Sequence, residues 1–454
     1  MLLKKGALLK LELASLANSG DAVARSEQGL TVFVPRGAPG DTVDVEVVES
    51  HATYARARLI RVLAPGPSRI AAPCPVAGTC GGCAWQHLDY PAQNAAKASF
   101  LLESFRRIGG LESPPLDGVL APADPYHYRN KAQVPVVMAP DGGLRLGYYR
   151  EGTHDVVALP AEGCRILEPA VDLALRFVRD HVAALGLLPY NPRNEEGDLR
   201  HVVVRANSRG QAMVVLVTRE PLAAEPAAKA SAWMGQAGIV SVQNNLQRKA
   251  GNVIMGDETV VLAGPATLDE DLDGLRFRLS ATSFFQVNPS QTMALLGVLK
   301  GLRPWSAGDQ VLELYCGVGT LSLPLGRLGL RLHGVETHAA AVEDARTNAA
   351  ANALPQLSFA VAGASQAWTT LPEGFKPQVL VVDPPRKGLD PAVIKSLSFN
   401  PVAELVYVSC DPANLARDVK ALAPLGYRLR RSQGVDLFPQ TAHVESVNWL
   451  VREG

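Results

Sequence analysis

The sequence predicts an α/β protein whose C-terminal part is a doubly wound sheet, preceded by a small β-barrel and a mixed α+β segment. Short β-like runs separated by glycine and proline fill residues 1–62, a pattern typical of small barrels. An apolar strand, a glycine turn and a helix follow one another at 311–323. From about residue 290 onward, helical patterns alternate with strands rich in valine and leucine, which favours a parallel sheet.

Length and composition limit the number of domains, the mode of nucleic-acid binding and the cellular location that we expect. The 454 residues suffice for about two to four domains and a sizeable core. The 44 Lys and Arg residues balance the 44 Asp and Glu residues, so nucleic-acid binding would depend on local patches. No apolar run approaches the roughly 18 residues of a membrane span, and Lys10 and Glu12 interrupt a start that superficially resembles a secretion signal. We therefore expect a cytoplasmic protein without membrane association.

The first segment, residues 1–63, is predicted to be a barrel resembling an OB-fold. Arg56, Arg58 and Arg61 lie close together in it and could contact RNA phosphates. The alternative is a solvated barrel face that binds nothing. The Pro/Gly-rich stretch 64–67 is typical of a linker.

A cysteine cluster opens the second segment, predicted to span residues 72–280. Cys74, Cys80 and Cys83 follow C-x5-C-x2-C spacing in a loop rich in glycine, which is too crowded for ordinary core cysteines. Zinc and iron–sulfur clusters both need a fourth ligand, and the only cysteine left outside the C-terminal domain is Cys164. The loop lacks the paired C-x2-C of structural zinc sites, which favours [4Fe–4S] over zinc or free thiols.

The rest of this segment mixes helices and strands. A helix is predicted at 92–108, and strands at 144–149, 201–205 and 213–217. The stretch 126–133, YHYRNKAQ, combines aromatic and basic side chains that could stack on and neutralise a nucleotide. The alternative is a solvated strand edge.

The third segment, residues 281–454, contains the glycine turn at 317–319. A dinucleotide fingerprint would have its third glycine at Ser322, so a pyrophosphate site is disfavoured. Glu336 ends the next apolar strand, where a carboxylate can accept hydrogen bonds from ribose hydroxyls. These features predict an adenosine ligand without a diphosphate, such as S-adenosylmethionine. Another nucleotide or a merely structural glycine turn are the alternatives.

Two further strand ends carry reactive groups. Asp383 follows an apolar strand and precedes two prolines, which hold it in a rigid loop. Cys410 ends the next strand at the start of a helix, where a thiolate is favoured and can act as a nucleophile. An inert buried cysteine is the alternative. Glu445 begins the last strand and could serve as a general base, although a lone strand glutamate is usually solvated.

These groups suit methylation of uracil. C5 of uracil becomes nucleophilic only after a thiolate adds to C6, and a base must then remove the C5 proton so that the thiol can leave. The ordered motifs CPVAGTCGGCAWQH, YRNKAQ, FFQVNP, ELYCGVGT, DPPRKG, VSCDP and HVES make the whole chain resemble the RNA uracil-5-methyltransferase family.

The resemblance implies a TRAM-type barrel, a central domain and a class I (Rossmann-like) methyltransferase domain. It implies that Cys410 is the nucleophile, Glu445 the general base, and that S-adenosylmethionine and a [4Fe–4S] cluster are bound. The implied cluster ligands are Cys74, Cys80, Cys83 and Cys164. The implied donor-binding residues are Gln286, Tyr315, Gly317, Gly319, Thr320, Glu336 and Asp383.

Two departures from the family pattern concern the donor site. Relatives often have Asn where this chain has Thr320, and residues 362–365 lack the acid or amide that many relatives place near the adenine. The resemblance also suggests that the helix near 92–108 packs on the methyltransferase domain.

The tRNA-modifying branch generally lacks the cysteine cluster, so the presence of the cluster favours 23S rRNA as the substrate. Separately, we expect the enzyme to be a monomer. A tRNA uridine-C5 methyltransferase and an RNA-binding protein with an inactive methyltransferase domain are the alternatives. A cytosine-5 methyltransferase usually needs a second cysteine for release, for which Cys316 is badly placed. An exocyclic-amine methyltransferase would not need Cys410.

Overall fold

A six-stranded sheet begins the part of the chain that the computed structural model describes, residues 2–453. Its order is β1-β5-β6-β4-β3-β2, and it encloses a small core of leucine, valine and alanine. In β5, Val43, Val45 and Val47 alternate with more exposed residues, as expected for a strand with one face on a core. The strands are β1 (Leu8–Glu12), β2 (Ser15–Leu16), β3 (Ala22–Arg25), β4 (Thr31–Val34), β5 (Thr42–Ser50) and β6 (Tyr54–Ala64).

The arginines of β6 are engaged with acidic side chains. Arg61 Nε lies 2.7 Å from Asp44 on the paired strand β5, and Arg58 is paired with Glu46 in the same way. Arg56 lies 3.6 Å from Asp21 and 4.0 Å from Glu49. Each of these three arginines therefore has an acidic neighbour within 4.0 Å, and their contact with RNA phosphates stays a prediction.

A long helix, α1 (Tyr90–Arg107), and the strand β7 (Leu116–Leu120) follow the cysteine loop. The next sheet has seven strands in the order β10-β9-β8-β11-β12-β13-β14. Its central strands β11 and β12 are buried along nearly their whole length, which explains their continuous valine-rich sequences. The elements are β8 (Lys131–Met138), β9 (Leu144–Tyr149), β10 (Val156–Ala158), α2 (Pro169–His181), β11 (Leu199–Ala206), β12 (Ala212–Thr218), α3 (Ala224–Ser231), β13 (Ile239–Leu246) and β14 (Glu258–Ala263).

The hairpin of β15 (Thr267–Leu272) and β16 (Leu275–Ser280) leads into an eight-stranded sheet. The sheet order is β19-β18-β17-β20-β21-β23-β22-β7, so the predicted doubly wound arrangement is confirmed. Its remaining elements are α4 (Pro289–Gly301), β17 (Gln310–Leu314), α5 (Ser322–Gly326), β18 (Arg331–Glu336), α6 (Ala339–Ala351), β19 (Leu357–Val361), β20 (Val379–Val382), α7 (Pro391–Phe399), β21 (Glu404–Ser409), α8 (Pro412–Leu422), β22 (Tyr427–Val435) and β23 (Glu445–Arg452).

Strands β17 to β21 run parallel to one another, whereas β23 lies antiparallel between β21 and β22. The carboxyl ends of the parallel strands therefore meet at the same sheet edge as the amino end of β23. This edge is where ligands bind in open α/β sheets.

The structure corrects both ends of the predicted central segment 72–280. The hairpin β15–β16 packs its apolar face into the core of the eight-stranded unit, through residues including Leu275 and Phe277. Its backbone is also bonded to α6, since the Arg278 N–H donates to Asn348 at 2.7 Å. At the other end, β7 pairs with β22, and α1 contributes Leu101 to the same unit. Helix α1 therefore lies against the C-terminal unit, where Leu101 and Phe105 are buried.

Helix α1 is attached by a buried ion pair. Lys97 Nζ lies 2.6 Å from Asp436 Oδ1, and both side chains are fully buried. The Tyr90 hydroxyl donates to the other carboxylate oxygen of Asp436 at 2.9 Å. Removing one partner from such a buried pair costs roughly 3–5 kcal/mol, because the remaining charge has no compensation. Helix α1 is therefore an integral part of the C-terminal unit despite its position in the sequence.

None of the helices within residues 2–453 is both long enough and apolar enough to cross a membrane.

Candidate active site

A cavity of about 870 Å³ opens at the edge where the strand ends meet. Nearly every residue that the sequence placed in the catalytic or donor site lines this cavity; the exception is Gly319. These side chains come from β17, β18, β20, β21 and β23 and from the loop before α4. The lining residues include Gln286, Tyr315, Gly317, Thr320, Glu336, Asp383, Cys410 and Glu445.

The glycine turn forms one wall of the cavity. Tyr315 has a φ of 64°, a left-handed conformation that is uncommon outside glycine, and its N–H donates to Val335 at 2.9 Å. Gly317 has open space where a side chain would be, so its backbone is free to approach a ligand. Gly319 is buried instead, and a Cβ there would collide with Leu323. Gly319 therefore packs the turn against α5, and its contact with a ligand stays a prediction.

Glu336 is held at the carboxyl end of β18 by backbone donors. Its Oε1 accepts hydrogen bonds from the N–H groups of Thr337 at 2.7 Å and His338 at 3.0 Å. Its Oε2 lies 3.4 Å from the Gly317 N–H. The carboxylate is thus fixed between the glycine turn and the start of α6, in the position expected for binding a ribose.

Two acidic groups lie deep in the cavity. Burial raises the pKa of Asp383 to about 7 and that of Glu313 to about 8. Glu313 is 1% exposed and accepts a 2.5 Å hydrogen bond from the Ser322 hydroxyl. Glu313 was not singled out from the sequence, although it is the one charged residue in the apolar strand β17. Both carboxyl groups favour a positively charged ligand.

Strand register brings Cys410 and Glu445 to the same place. Ser409 at the end of β21 pairs with Ser446 near the start of β23. One further step along this antiparallel register sets Cys410 opposite Glu445. The two residues predicted to be nucleophile and base, 35 positions apart in sequence, therefore face one cavity.

The protonation of these two groups differs from the sequence-based expectation. Burial, followed by the charges of Glu445 and Asp383, raises the pKa of Cys410 to about 12, which outweighs the nearby Arg386 and the start of α8. Burial and the charge of Asp383 also raise the pKa of Glu445 to about 8. The expected stabilisation of the thiolate is therefore wrong for the ligand-free protein, in which Cys410 is a neutral thiol.

The mouth of the cavity carries basic and aromatic side chains that the sequence reasoning did not assign. Arg386 Nη2 lies 3.0 Å from the His443 ring nitrogen Nε2, and the His443 and Phe438 rings are in edge-to-face contact. Burial and the charge of Arg386 lower the pKa of His443 to about 4, so this histidine is neutral. Arg386 and His443 lie in the motifs DPPRKG and HVES of the family resemblance, and this membership was the sequence signal that could have identified them.

The four cysteines predicted to hold a cluster line a second, smaller cavity of about 220 Å³. Burial, followed by the charge of Cys164, raises the pKa of the Cys83 thiol to about 12. Nevertheless, no group of three or more His, Cys, Asp or Glu side chains within residues 2–453 converges closely enough to hold a single metal ion. The four cysteines thus share one cavity, and the identity of the metal group they hold stays a prediction.

The stretch 126–133 is partly buried, since Tyr128 and Asn130 lie inside the fold whereas His127 is exposed. Tyr128 and Asn130 are 4% and 2% exposed. The Asn130 N–H donates to Val287 at 2.9 Å, which supports the loop that carries Gln286. Polar residues that resembled an RNA-contact motif thus fix neighbouring loops from within.

Comparison with known proteins gives independent information. A family model described as tRNA (Uracil-5-)-methyltransferase matches residues 267–453, and a TRAM domain model matches residues 4–60. An uncharacterized RNA methyltransferase of Gloeobacter violaceus is 38% identical over 99% of this chain and 98% of its own length. One of Bacillus cereus is 36% identical over 98% and 97% of the two chains.

Among solved structures, the Pyrococcus abyssi tRNA (uracil-54, C5)-methyltransferase in complex with S-adenosyl-L-homocysteine is similar, with a TM-score of 0.77 and 27% identity. The similarity covers 97% of this chain and 99% of that one. Together, the shared domains, the similarity along the whole chain and the convergence of Cys410 and Glu445 lead to one conclusion: the chain belongs to the RNA uracil-5-methyltransferase family, with a TRAM domain at its N-terminus.

Proposed function

We propose that this protein transfers a methyl group from S-adenosylmethionine to C5 of a uridine in 23S rRNA, with Cys410 as nucleophile and Glu445 as general base. The observation that carries the proposal is the placement of these two residues on one cavity by the Ser409–Ser446 register. A nucleophile alone would fit many reactions. A nucleophile, a base and an adenosine-type site in one cavity fit C5 methylation of a pyrimidine.

The donor would lie along the glycine turn. Glu336, held by three backbone N–H groups, would accept the ribose hydroxyls, and Gly317 would allow close approach. Asp383 and Glu313 would face the positively charged end of the donor. Tyr315, Gln286 and Thr320 complete the walls. At the adenine end, residues 363–365 contribute one side-chain hydroxyl, from Ser365, in place of the missing acid or amide.

The reaction balances with these groups. Beside the positively charged donor Cys410 would ionise and release its proton to solvent. Its thiolate adds to C6 of the target uracil, and the resulting enolate carbon C5 attacks the methyl group of the sulfonium. S-adenosylhomocysteine then leaves as a neutral thioether. Glu445 removes the C5 proton, the C5–C6 double bond re-forms, and the Cys410 thiolate is expelled. The target base would have to be unstacked from its RNA, because a stacked base hides C6.

The raised pKa values fit a site that is completed by its substrates. A sulfonium adds positive charge beside Asp383, Glu445 and Cys410, and nearby positive charge favours the ionised form of each group. After methyl transfer this charge is gone. Glu445 then again experiences burial and the charge of Asp383, the two causes of its pKa of about 8.

We propose that Cys74, Cys80, Cys83 and Cys164 hold a [4Fe–4S] cluster, and the supporting observation is that all four line one cavity. The loop of Cys164 is rigid: its N–H donates to Asp172 at 2.7 Å, and a side chain at Gly163 would collide with the same carboxylate. A cluster there would connect the loop of Cys74, Cys80 and Cys83 to the loop of Cys164. Nothing in uracil methylation requires an electron, so its role would be structural.

The choice of 23S rRNA rests on the cysteine cluster, which the tRNA-modifying branch of the family generally lacks. The competing candidate is a tRNA uridine-C5 methyltransferase. It is favoured by the similarity over 97% of the chain to the Pyrococcus abyssi enzyme, whose substrate is uridine 54 of tRNA.

The first prediction concerns the nucleophile. Wild-type protein given donor and a transcript containing 5-fluorouridine should form a covalent complex on a denaturing gel, because fluorine at C5 cannot leave as a proton does. Cys410→Ala should form none while still binding the donor in calorimetry. Cys316→Ala is the matched control, since Cys316 lines the same cavity but lies in the glycine turn. A covalent complex with Cys410→Ala would overturn the assignment.

The second prediction concerns the base. Glu445→Gln should accumulate an RNA adduct on unmodified substrate, since methyl transfer proceeds but the C5 proton stays. In wild-type protein, adduct resolution should accelerate as pH rises toward about 8 and level off above it, because only the carboxylate accepts the proton. Single-turnover gels across this pH range measure the rate. A pH-independent rate in wild type, or rapid resolution in the variant, would exclude Glu445.

The third prediction concerns the substrate. Ribosomal RNA from cells that lack this protein should lose 5-methyluridine at one or more 23S positions, and tRNA should be unchanged. Mapping by mass spectrometry of nuclease fragments from both RNA classes measures this. Restoration by the wild-type gene, but not by one encoding Cys410→Ala, is the control. Loss of the modification in tRNA alone would establish the competing candidate.

The fourth prediction concerns the cluster. Anaerobic reconstitution should give about four iron atoms per chain and the broad visible absorbance of a [4Fe–4S] species. Cys83→Ser should reduce both the iron content and the absorbance. Cys316→Ser should reduce neither, because Cys316 lies outside the cysteine cavity. Binding of one zinc ion with no iron species would contradict the proposal.

A further inference from the structure

Four successive backbone carbonyls, those of residues 437–440, each accept a hydrogen bond from a different segment of the chain. Asn288 Nδ2 donates to Leu437 at 3.0 Å, and Lys97 Nζ donates to Phe438 at 3.1 Å. The Tyr128 hydroxyl donates to Pro439 at 3.0 Å, and the Trp85 backbone N–H donates to Gln440 at 3.0 Å. We call residues 437–440 the anchored segment.

The anchored segment leads directly to the proposed general base. Glu445 follows it by five residues, and Phe438 within it lines the catalytic cavity. Gln440 adopts a φ of 68°, and its backbone N–H and side chain are both bonded to Gln93 at 3.0 Å. A non-glycine residue in this conformation persists only when its surroundings hold it there. These outside contacts thus hold the turn that leads into β23 and Glu445.

Two of the four donors belong to the surroundings of the cysteine cavity. Trp85 follows Cys83 by two residues, and the next residue, Gln86, accepts a 3.2 Å hydrogen bond from the Cys74 N–H. On the other side, the Tyr128 N–H donates at 3.0 Å to Ile166, two residues after Cys164. The two loops that border the cysteine cavity are therefore connected, through Trp85 and Tyr128, to adjacent carbonyls of the anchored segment.

We propose that Trp85 and Tyr128 are positioning residues through which the cysteine cavity controls the orientation of Glu445. When the four cysteines hold the proposed [4Fe–4S] cluster, the hydrogen-bond donors Trp85 and Tyr128 are fixed, and Glu445 is aligned to remove the C5 proton. When the cluster is removed, the anchored segment becomes more mobile, and resolution of the RNA adduct slows. Formation of the adduct depends on Cys410, which directly follows β21 and receives none of these contacts. This inference rests on the proposed function.

Tyr128→Phe tests the connection, because it removes one hydroxyl and keeps the ring. In single-turnover reactions on a denaturing gel, the adduct should form at the wild-type rate and resolve roughly two- to tenfold more slowly, the effect of losing one neutral hydrogen bond. Hydrogen exchange of backbone amides in residues 437–446 should be faster in the variant. Wild-type protein stripped of its cluster should show the same two changes.

Tyr427→Phe is the matched control. Tyr427 is also buried, and its hydroxyl donates to the Val402 carbonyl at 3.0 Å. Tyr427 lies in β22 of the eight-stranded sheet that contains Glu445, but it does not contact the anchored segment through this bond. It should lower stability to urea without changing the ratio of adduct formation to resolution. Stripping the cluster from Tyr128→Phe should add less than the sum of the separate effects, since both act through one contact.

The outcomes separate the two proposals. Failure of wild-type protein to form any adduct would refute the proposed function. An adduct that Tyr128→Phe resolves at the wild-type rate would overturn the positioning role, as would equal slowing of both steps in Tyr128→Phe and Tyr427→Phe. Unchanged hydrogen exchange in residues 437–446 after cluster removal would overturn the link to the cysteines.

Discussion

The antiparallel direction of β23 is the constraint on which the site depends. Parallel strands all deliver their carboxyl ends to one edge of the sheet, so β17, β18, β20 and β21 bring Tyr315, Glu336, Asp383 and Cys410 together there. A residue that begins a strand reaches that edge only if its strand runs the other way. The insertion of β23 between β21 and β22 meets this condition, and Glu445 lies beside Cys410 as a result.

Burial is the dominant electrostatic influence at this edge. It is the largest cause of the raised pKa values of Asp383, Glu445, Glu313 and Cys410. Three acids and a thiol in one place would repel one another if all were ionised, so the ligand-free site keeps protons. The buried Lys97–Asp436 pair stands just outside this group and secures the chain that leads to β23. The catalytic edge of the sheet is therefore supported by a second set of buried polar contacts, those of the Lys97–Asp436 pair.

Much of the site could be predicted from the sequence because strand ends and glycine turns have local signatures. The apolar run before Cys410, the two prolines after Asp383 and the glycine turn beside Tyr315 all act within a few residues. Glu445 had no such signature, since its partner is determined by strand pairing across 35 positions. Only the family resemblance identified it.

Long-range contacts explain the remaining differences. Helix α1 joins the C-terminal unit because Lys97 meets Asp436, 339 positions away, which no local pattern reveals. Tyr128 and Asn130 have the composition of an RNA-contact motif, yet their partners at Pro439 and Val287 are visible only in the fold. The thiolate expected at the start of α8 was outweighed by burial and by Glu445 and Asp383.

The cross-strand ion pairs of the barrel have a consequence for how the protein meets RNA. With a net charge of zero and Arg58 and Arg61 already matched by acids on β5, the molecule has little long-range pull on a polyanion. A phosphate bound by Arg58 or Arg61 would compete with the carboxylate that already pairs with it. Both arginines are about 70% exposed, and exposed ion pairs contribute only about 0–1 kcal/mol. The exchange would therefore cost little, and the barrel would gain its attraction for RNA at contact and not at long range.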